Sequence, residues 1–361
     1  MAKIIELFNH KGGVSKTTTT FNIAWKISEK NKKILLVDAD PQCNLTGMFL
    51  GEEFDDYYEN KETRHLNIKD AVNMAFKGSP NPITAIECPH HEKNNNLYLI
   101  PGHMDLSEYE SSLNLALTSN NAILTLQNLP GAFYELIKKT CDKYDIDYVF
   151  IDMNPGLSAI NQTFFMYADA FIVPTNPDPF SVMALKTLRK TLPRWKKLAE
   201  SSRIYFSEST YPLPEAEMKF IGVIIQRFSL RNRKAAKPYT GKIEEIKKYI
   251  EGDFYKELSK HNMVFANSKS IDNHCLGEIS DFGSLLQKAH EARIPVFALS
   301  KEDMRFSGNV YESMEAKRLG YDKLFNGRLQ VQIEQDLSSN YISGIHLIKK
   351  SVEQFIRSVV A

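Results

Sequence analysis

The residues best suited to chemistry lie close to the start of the chain. Two lysines, two glycines and a run of threonines occur in HKGGVSKTTTT, directly after the apolar run at residues 4–8. A glycine-rich turn between a strand and a helix points its backbone N–H groups at phosphates. Lys16 is placed to meet the β and γ phosphates of a nucleotide, and the Thr17 hydroxyl is placed to bind magnesium. The predicted nucleotide-binding residues of this turn are Lys11, Gly12, Gly13, Val14, Ser15, Lys16, Thr17 and Thr18.

Three aspartates stand at the ends of later apolar runs. Asp38 and Asp40 close ILLVDAD, and Asp152 closes YVFID. Since Asp38 and Asp40 are two residues apart, they project to the same side of a strand. Asp40 is predicted to orient the water that attacks the γ phosphate, while Asp38 and Asp152 are predicted to join Thr17 around Mg²⁺. The alternative is that such aspartates only cap helices.

Short apolar runs alternate with longer segments of helical spacing. Strands are predicted at residues 4–8, 33–37, 97–100, 148–151, 170–173, 220–225 and 295–299, and helices at 17–29, 123–141, 179–198 and 243–254. This alternation predicts an α/β fold with a doubly wound, mostly parallel sheet flanked by helices, as in P-loop NTPases, with insertions. Residues 1–300 are predicted to form the P-loop domain, and residues 301–361 a helical C-terminal extension packed on it.

Composition excludes several classes of protein. The formal net charge of +1 provides no general attraction for nucleic acid or an acidic membrane, so any basic site must be local. The cysteines form no CxxC pair, which argues against a zinc site, a disulfide framework and a metal-cluster carrier. With neither a signal peptide nor an 18-residue apolar run, the chain is predicted to be cytoplasmic. These cysteines are Cys43, Cys88, Cys141 and Cys275.

Three motifs, in order, carry a family resemblance. KGGVSKTT resembles the deviant Walker A motif of the ParA/MinD family, in which glycine is usual at the position of Ser15. ILLVDADPQCNLT resembles the second acidic motif of that family, and DIDYVFIDMNPGLSAINQTFFMYADAFIVPTNPDPF resembles its Walker B strand with the following turn, strand and helix. Weaker similarity covers roughly residues 3–299. The departures are Asn154, where the family commonly has proline, a loop near residues 201–217, and a long tail after residue 300.

The resemblance implies an ATPase of the Soj-like ParA branch without an N-terminal helix-turn-helix domain. It implies an ATP-bound homodimer, catalytic roles for Lys16 and Asp40, and a Lys11 that reaches the phosphates of the other subunit. It also implies an adenine contact by Gln226, slow hydrolysis until a ParB-like or other partner stimulates it, and nonspecific DNA binding on the nucleoid. The alternative is a MinD-like positioning ATPase bound to a membrane through the apolar stripe of residues 340–360, although packing on the sheet is the predicted role of that stripe.

One basic segment, RFSLRNRKAAKPYTGK, is the predicted DNA contact. Its cations are countered by no acid until Glu244, and the alternative is a solvated loop with incidental charge. Polar segments elsewhere, at residues 201–217 and around the pair His90 and His91, are predicted to be surface loops. The predicted DNA-binding residues are Arg227, Arg231, Arg233, Lys234 and Lys237.

Overall fold

The computed structural model describes residues 1–119, 122–231, 234–265 and 274–300. Within these ranges the strands are β1 (Lys3–Leu7), β2 (Ile34–Ala39), β3 (His90–His91), β4 (Asn94–Ile100), β5 (Tyr148–Met153), β6 (Ala170–Thr175), β7 (Lys219–Phe228), β8 (Leu230–Arg231), β9 (Lys234–Ala235) and β10 (Cys275–Ser280). The α-helices are α1 (Lys16–Ser28), α2 (Asn44–Leu50), α3 (Phe54–Glu59), α4 (Ile68–Phe76), α5 (Glu110–Thr118), α6 (Leu129–Tyr144), α7 (Ala159–Phe165), α8 (Ser181–Tyr205), α9 (Lys237–Tyr249), α10 (Tyr255–Lys260) and α11 (Leu285–Glu291).

One sheet organises the described chain. Its strand order is β10-β7-β6-β1-β5-β2-β4-β3, and every pair is parallel except β3 with β4. Leu7 at the end of β1 pairs with Asp152 of β5, and Asp152 pairs with Asp38 of β2. The carboxyl ends of these strands are therefore level at one edge, which is where ligands bind in open parallel sheets.

Helices cover both faces of the sheet, which explains why the side chains on both faces of its central strands are apolar. Ile5 and Leu7 pack with α1, α2 and α11 on one face. Ile4 and Phe8 pack with α4 and with α6 to α8 on the other. The predicted doubly wound α/β sheet is confirmed, and the predicted extension at residues 301–361 lies outside the described residues.

Three local predictions were wrong. The apolar run at 295–299 is not a strand, because its centre forms a 3₁₀ turn (Val296–Ala298) buried against the core. Residues 201–217 are not simply a surface loop, since α8 continues to Tyr205 and the Tyr211 side chain is buried. His91 is also buried, with its ring edge-on to those of Trp25 and Phe49. Among the described residues no helix combines the length and apolarity required to span a bilayer.

Candidate nucleotide site

The predicted phosphate-binding turn connects β1 to α1 at the central edge of the sheet. Gly13 and Ser15 have positive φ angles of 70° and 55°, so the chain turns sharply just before α1 begins at Lys16. Ser15 has this left-handed conformation although it is not glycine, at a modest conformational cost. The turn brings backbone N–H groups to the start of a helix, where the helix dipole also favours an anion.

Lys16 is buried beneath this turn. Its ammonium donates to the carbonyl oxygens of Asn9, at 3.1 Å, and Lys11, at 3.3 Å. Burial lowers the pKa of Lys16, while the charges of Asp152 and Asp40 act in the opposite direction. A triphosphate in this turn would give the buried ammonium an anionic partner in place of two carbonyls, which favours phosphate binding.

A cavity of about 870 Å³ opens over the turn. It is lined by residues 12–18 of the turn, by Asp40 and Gln42 after β2, and by Gln226 and Arg227 of β7. Residues 279–282, which include the end of β10, and His290 of α11 also line it. The volume is sufficient for a nucleoside triphosphate.

The three predicted aspartates lie together but differ in their hydrogen bonding. Oδ2 of Asp38 accepts from the backbone N–H of Thr46 at 2.8 Å and from its hydroxyl at 2.7 Å, while Oδ1 accepts from the N–H of Asp40 at 3.2 Å. Burial raises the pKa of Asp38 to about 6, against these hydrogen bonds. Because both oxygens are already engaged, Asp38 is better suited to positioning its neighbours than to binding metal directly.

Asp152 has the opposite character. It is fully buried, and neither oxygen meets a donor within hydrogen-bond geometry among the described residues. Burial raises its pKa, and the nearby charge of Asp38 raises it further, while the Thr17 hydroxyl and Lys16 lower it. An unsatisfied buried carboxylate beside a threonine hydroxyl fits a hydrated Mg²⁺. Because no group of three His, Cys, Asp or Glu side chains among the described residues could hold a metal alone, that ion would also need nucleotide oxygens.

Asp40 differs from both, because it reaches the cavity. It is 7% exposed and lines the same cavity as the glycine turn. Oδ1 accepts from the backbone N–H of Gln42 at 3.0 Å, which fixes the carboxylate orientation. No group in the described part of the chain donates a hydrogen bond to Oδ2, so this oxygen is the one available to a water in the cavity.

Gln226 and Arg227 connect the end of β7 to the turn. Gln226 is buried, donates to the carbonyl oxygen of Val14 at 2.6 Å, and accepts from the Thr19 hydroxyl at 2.8 Å. Arg227 donates from Nη1 to the carbonyl oxygen of Gly13 at 2.9 Å. The amide of Gln226 is thus occupied in holding the turn, and Arg227, predicted to contact DNA, lies instead on the wall of the nucleotide cavity.

Lys11 points away from the cavity. Its ammonium donates to Oδ2 of Asp178 and, at 3.4 Å, to the Ser181 hydroxyl at the start of α8. Burial raises the pKa of Asp178, but hydrogen bonds from Lys11, Phe180 N–H and Ser181 outweigh it, so the net pKa lies below its usual range. Large apolar side chains are exposed beside this pair, with Phe180 at 65% and Met183 at 64%.

Sequence reasoning identified neither Asp178 nor the lining of the cavity by residues 279–282 and His290. A signal for Asp178 was available, because it follows β6 at the same sheet edge as the glycine turn. The other predicted DNA contacts lie beyond the cavity. Arg231 is exposed in the hairpin of β8 and β9, Lys234 lies in β9, and Lys237 begins α9. Arg233 lies outside the described residues.

Comparison with known proteins agrees with this geometry. A family model described as an AAA domain matches residues 2–204. The virulence plasmid ParA family protein pGP5-D of Chlamydia psittaci is 29% identical over 191 residues, which are 52% of this chain and 62% of that protein. The sporulation initiation inhibitor protein Soj of Bacillus subtilis is 24% identical over 270 residues, 75% of this chain and 88% of Soj.

The fold also has a solved counterpart. The ATP complex of a Cyanothece McdA variant superposes with a TM-score of 0.56 at 19% identity, and the match covers 91% of this chain and 98% of that one. This likeness concerns the fold alone. The chain spans only part of some relatives, with 52% of the length of an uncharacterized Mycobacterium tuberculosis protein that is 30% identical.

Proposed function

The chain belongs to the AAA domain family and is related to the ParA and Soj partition ATPases, and on this premise we propose that it is an ATP-dependent dimerisation switch. In this proposal the ATP-bound homodimer binds nonspecific DNA and positions a DNA or other large cargo. Hydrolysis then returns it to the monomer. The observation that carries the proposal is the cavity in which a buried lysine, a glycine turn and the open oxygen of Asp40 converge.

The roles of the cavity residues follow from their contacts. Lys16 and the N–H groups of the turn bind the phosphates and stabilise the charge that develops on them. Thr17 and Asp152 would hold Mg²⁺, which would supply neutralisation of the phosphate charge. Asp40 orients the attacking water through its open oxygen. Gln226 keeps the turn in its phosphate-binding conformation, which is compatible with, but does not require, an adenine contact.

Dimerisation is supported by the surface around Lys11. Phe180, Met183 and Leu157 are exposed at 65%, 64% and 43%. Exposed large apolar residues grouped at one site are typical of protein interfaces. A second copy of the chain placed there would bring its Lys11 to the phosphates of the first, in the role that an arginine finger has elsewhere. A ParB-like or other partner is proposed to stimulate a slow basal hydrolysis, and the DNA-bound dimer is proposed to reside on the nucleoid.

Two lysine variants test the switch. Lys16→Ala should abolish ATP binding, because the phosphates lose their buried cation. Lys11→Ala should bind ATP almost normally and fail to dimerise or hydrolyse it. Equilibrium nucleotide binding and sedimentation velocity, each with and without ATP, distinguish the two. A Lys11 variant that binds no ATP, or one that dimerises and hydrolyses normally, contradicts the role in the partner subunit.

Asp40→Ala tests the catalytic assignment. It should slow single-turnover hydrolysis by on the order of a hundredfold while keeping the ATP-bound dimer, because removal of a water-positioning group costs catalysis more than binding. Asp40→Asn is the companion variant, since it keeps the Oδ1 acceptor for Gln42 N–H and replaces Oδ2 by an amide NH2, which cannot accept a hydrogen bond from the water; it should therefore also slow hydrolysis. Normal turnover in the alanine variant would assign the water to another residue.

The MinD-like alternative is tested by sedimentation with anionic vesicles beside gel shift with random duplex DNA, with and without ATP. DNA binding that requires ATP supports partition. ATP-dependent vesicle binding without DNA binding would contradict the partition function and support the membrane alternative.

A further inference from the structure

The outward face of α8 carries a stripe of cations that the linear sequence did not reveal. Four of its members, at positions 186, 190, 194 and 197, recur at intervals of three or four residues, which places them on one side of a helix. From Lys186 to Lys197 the stripe runs about 16 Å, at 1.5 Å per residue. Lys186, Lys190, Arg194 and Lys197 are exposed, and Arg189 is half-buried beside them. The stripe consists of Lys186, Arg189, Lys190, Arg194 and Lys197.

Little negative charge neutralises this stripe. Glu200 is the only acid in α8. Arg189 lies 3.5 Å from Asp253, whereas the four exposed cations have no acid within ion-pair distance among the described residues. Glu257, on the neighbouring α10, already pairs with Lys260 at 2.9 Å. The stripe therefore retains most of its positive charge.

The cations also line a concavity. A groove of about 430 Å³ lies between α8 and α10, with Lys190, Arg194 and Lys197 on one wall and Glu257 and His261 on the other. The two other cations of α8 bind backbone within the domain: Lys196 donates to the carbonyl oxygen of Asn262 at 3.0 Å, and Arg203 donates to those of Pro214 and Ala216 at 2.6 and 3.0 Å. A groove lined by several cations on one rigid helix is suited to a ligand with repeated negative charges.

We propose that the basic stripe of α8 binds the phosphate backbone of duplex DNA, a proposal that rests on the DNA-binding function proposed above. About 16 Å of duplex axis carries on the order of nine phosphates, enough for every cation of the stripe. No large apolar side chain is exposed on α8 between Met183 and Ile204. That absence of stacking groups fits binding to the backbone without base recognition, and it disfavours a membrane, into which an interfacial helix inserts apolar groups.

The described residues of the segment predicted from the sequence carry less free charge than the α8 stripe. Lys242 pairs with Glu245 at 2.6 Å, and Lys247 of the same helix pairs with Glu278 at 2.7 Å. Arg227 is bonded to the glycine turn. Among the described residues of this segment, Arg231 and Lys237 remain exposed, so the α8 stripe provides the larger free charge.

The double variant Arg194→Ala/Lys197→Ala tests the proposal in the full chain. Its matched control is Lys61→Ala/Lys77→Ala, which removes the same charge from two exposed lysines without an ion-pair partner among the described residues. Affinity for random duplex DNA is measured across a salt series with ATP. The slope of log affinity against log salt should fall by about 1.8 per chain in the test variant, since each lost phosphate contact removes about 0.9. The control should keep the wild-type slope, and ATP-dependent dimerisation should persist in both variants.

Each result that contradicts the proposal leads to a different conclusion. Wild-type slope and affinity in the Arg194→Ala/Lys197→Ala variant, with wild type binding DNA, would overturn the α8 site and leave the proposed function standing. No DNA binding by wild type at low salt would overturn both. Loss of affinity by both double variants alike would also overturn the site, since total charge alone would then explain the binding. ATP-dependent binding to phosphatidylserine vesicles that only the test variant loses would reassign the stripe to a membrane.

Discussion

Lys11 is held within its own chain, and releasing it should strengthen the ATP-dependent dimer. Its ammonium donates to Oδ2 of Asp178, and the two side chains are 21% and 33% exposed. If Lys11 reaches the other subunit, as proposed, each chain must break this ion pair on dimerisation. Asp178→Asn removes the charge but keeps Oδ1, which accepts from Phe180 N–H at 2.9 Å and from the Ser181 hydroxyl at 3.0 Å.

The size of the effect follows from the exposure of the pair. Partly exposed ion pairs contribute about 0.5–1 kcal/mol. Because two such pairs break per dimer, the substitution should favour the dimer by about 1–2 kcal/mol. Since about 1.4 kcal/mol corresponds to a factor of ten, the Kd of the ATP-bound dimer should fall by about 5- to 30-fold. The gain should shrink at high salt, where the ion pair is screened.

Sedimentation velocity with ATP, in the Asp40→Ala background to prevent hydrolysis, measures this Kd. Lys11→Ala provides the control, because Asp178→Asn should not restore dimerisation to a chain that lacks the lysine. An unchanged or weaker dimer in Asp178→Asn refutes the reasoning. So does a dimer that forms equally well without Lys11.

Three further predictions concern residues inside the domain. Burial raises the pKa of Glu6 well above its usual value, so the folded chain holds a proton that the unfolded chain releases. The free energy of unfolding should therefore fall as pH rises above about 4.5, with a contribution from Glu6 of up to about 1.4 kcal/mol per pH unit. Since buried Asp38 and Asp152 also have raised pKa values, urea unfolding from pH 5 to 8 should show a smaller fall in Glu6→Gln than in wild type, and an equal fall would contradict the role of Glu6. Gln226→Ala removes two buried hydrogen bonds, so ATP affinity should weaken by up to about 30-fold, at about 1 kcal/mol net per bond; unchanged nucleotide binding would count against its positioning role. Gly131→Ala would drive its Cβ into the carbonyl oxygen of Tyr211, which should cost about 1–3 kcal/mol of stability, seen as a lower Tm.

The phosphate-binding turn and its acids could be predicted from the sequence because each signal is local. The glycines and Lys16 lie within one short segment, and Asp38 and Asp40 follow from the period of a strand. The pairing of Asp178 with Lys11 spans 167 residues, and no local pattern reports such a contact. The hydrogen bonds that occupy both oxygens of Asp38 were equally hidden, because they depend on where Thr46 lies in the folded chain.

The strand and helix boundaries that sequence reasoning missed show which structural features an apolar pattern can predict. β10 (Cys275–Ser280) contains Gly277 and a half-buried face, so it lacks the continuous apolar run of the central strands. The run at residues 295–299 is buried without forming a strand, because an apolar run reports burial and leaves the backbone conformation open. α8 continues through Pro193 to Tyr205, seven residues past its predicted end, since tertiary packing overrides local propensity.

The position of α8 implies that ATP-dependent dimerisation and DNA binding are thermodynamically coupled. Its first residue, Ser181, contacts Lys11, and its basic stripe lies further along the same helix. Under the two proposals, α8 contacts Lys11, which binds the nucleotide of the other subunit, and also contacts DNA. One helix therefore connects the two binding sites. Binding energies are reciprocal, so whatever factor ATP adds to the affinity for DNA, DNA must add to the stability of the ATP-bound dimer. DNA would then act as an effector of assembly as well as a surface on which the protein resides.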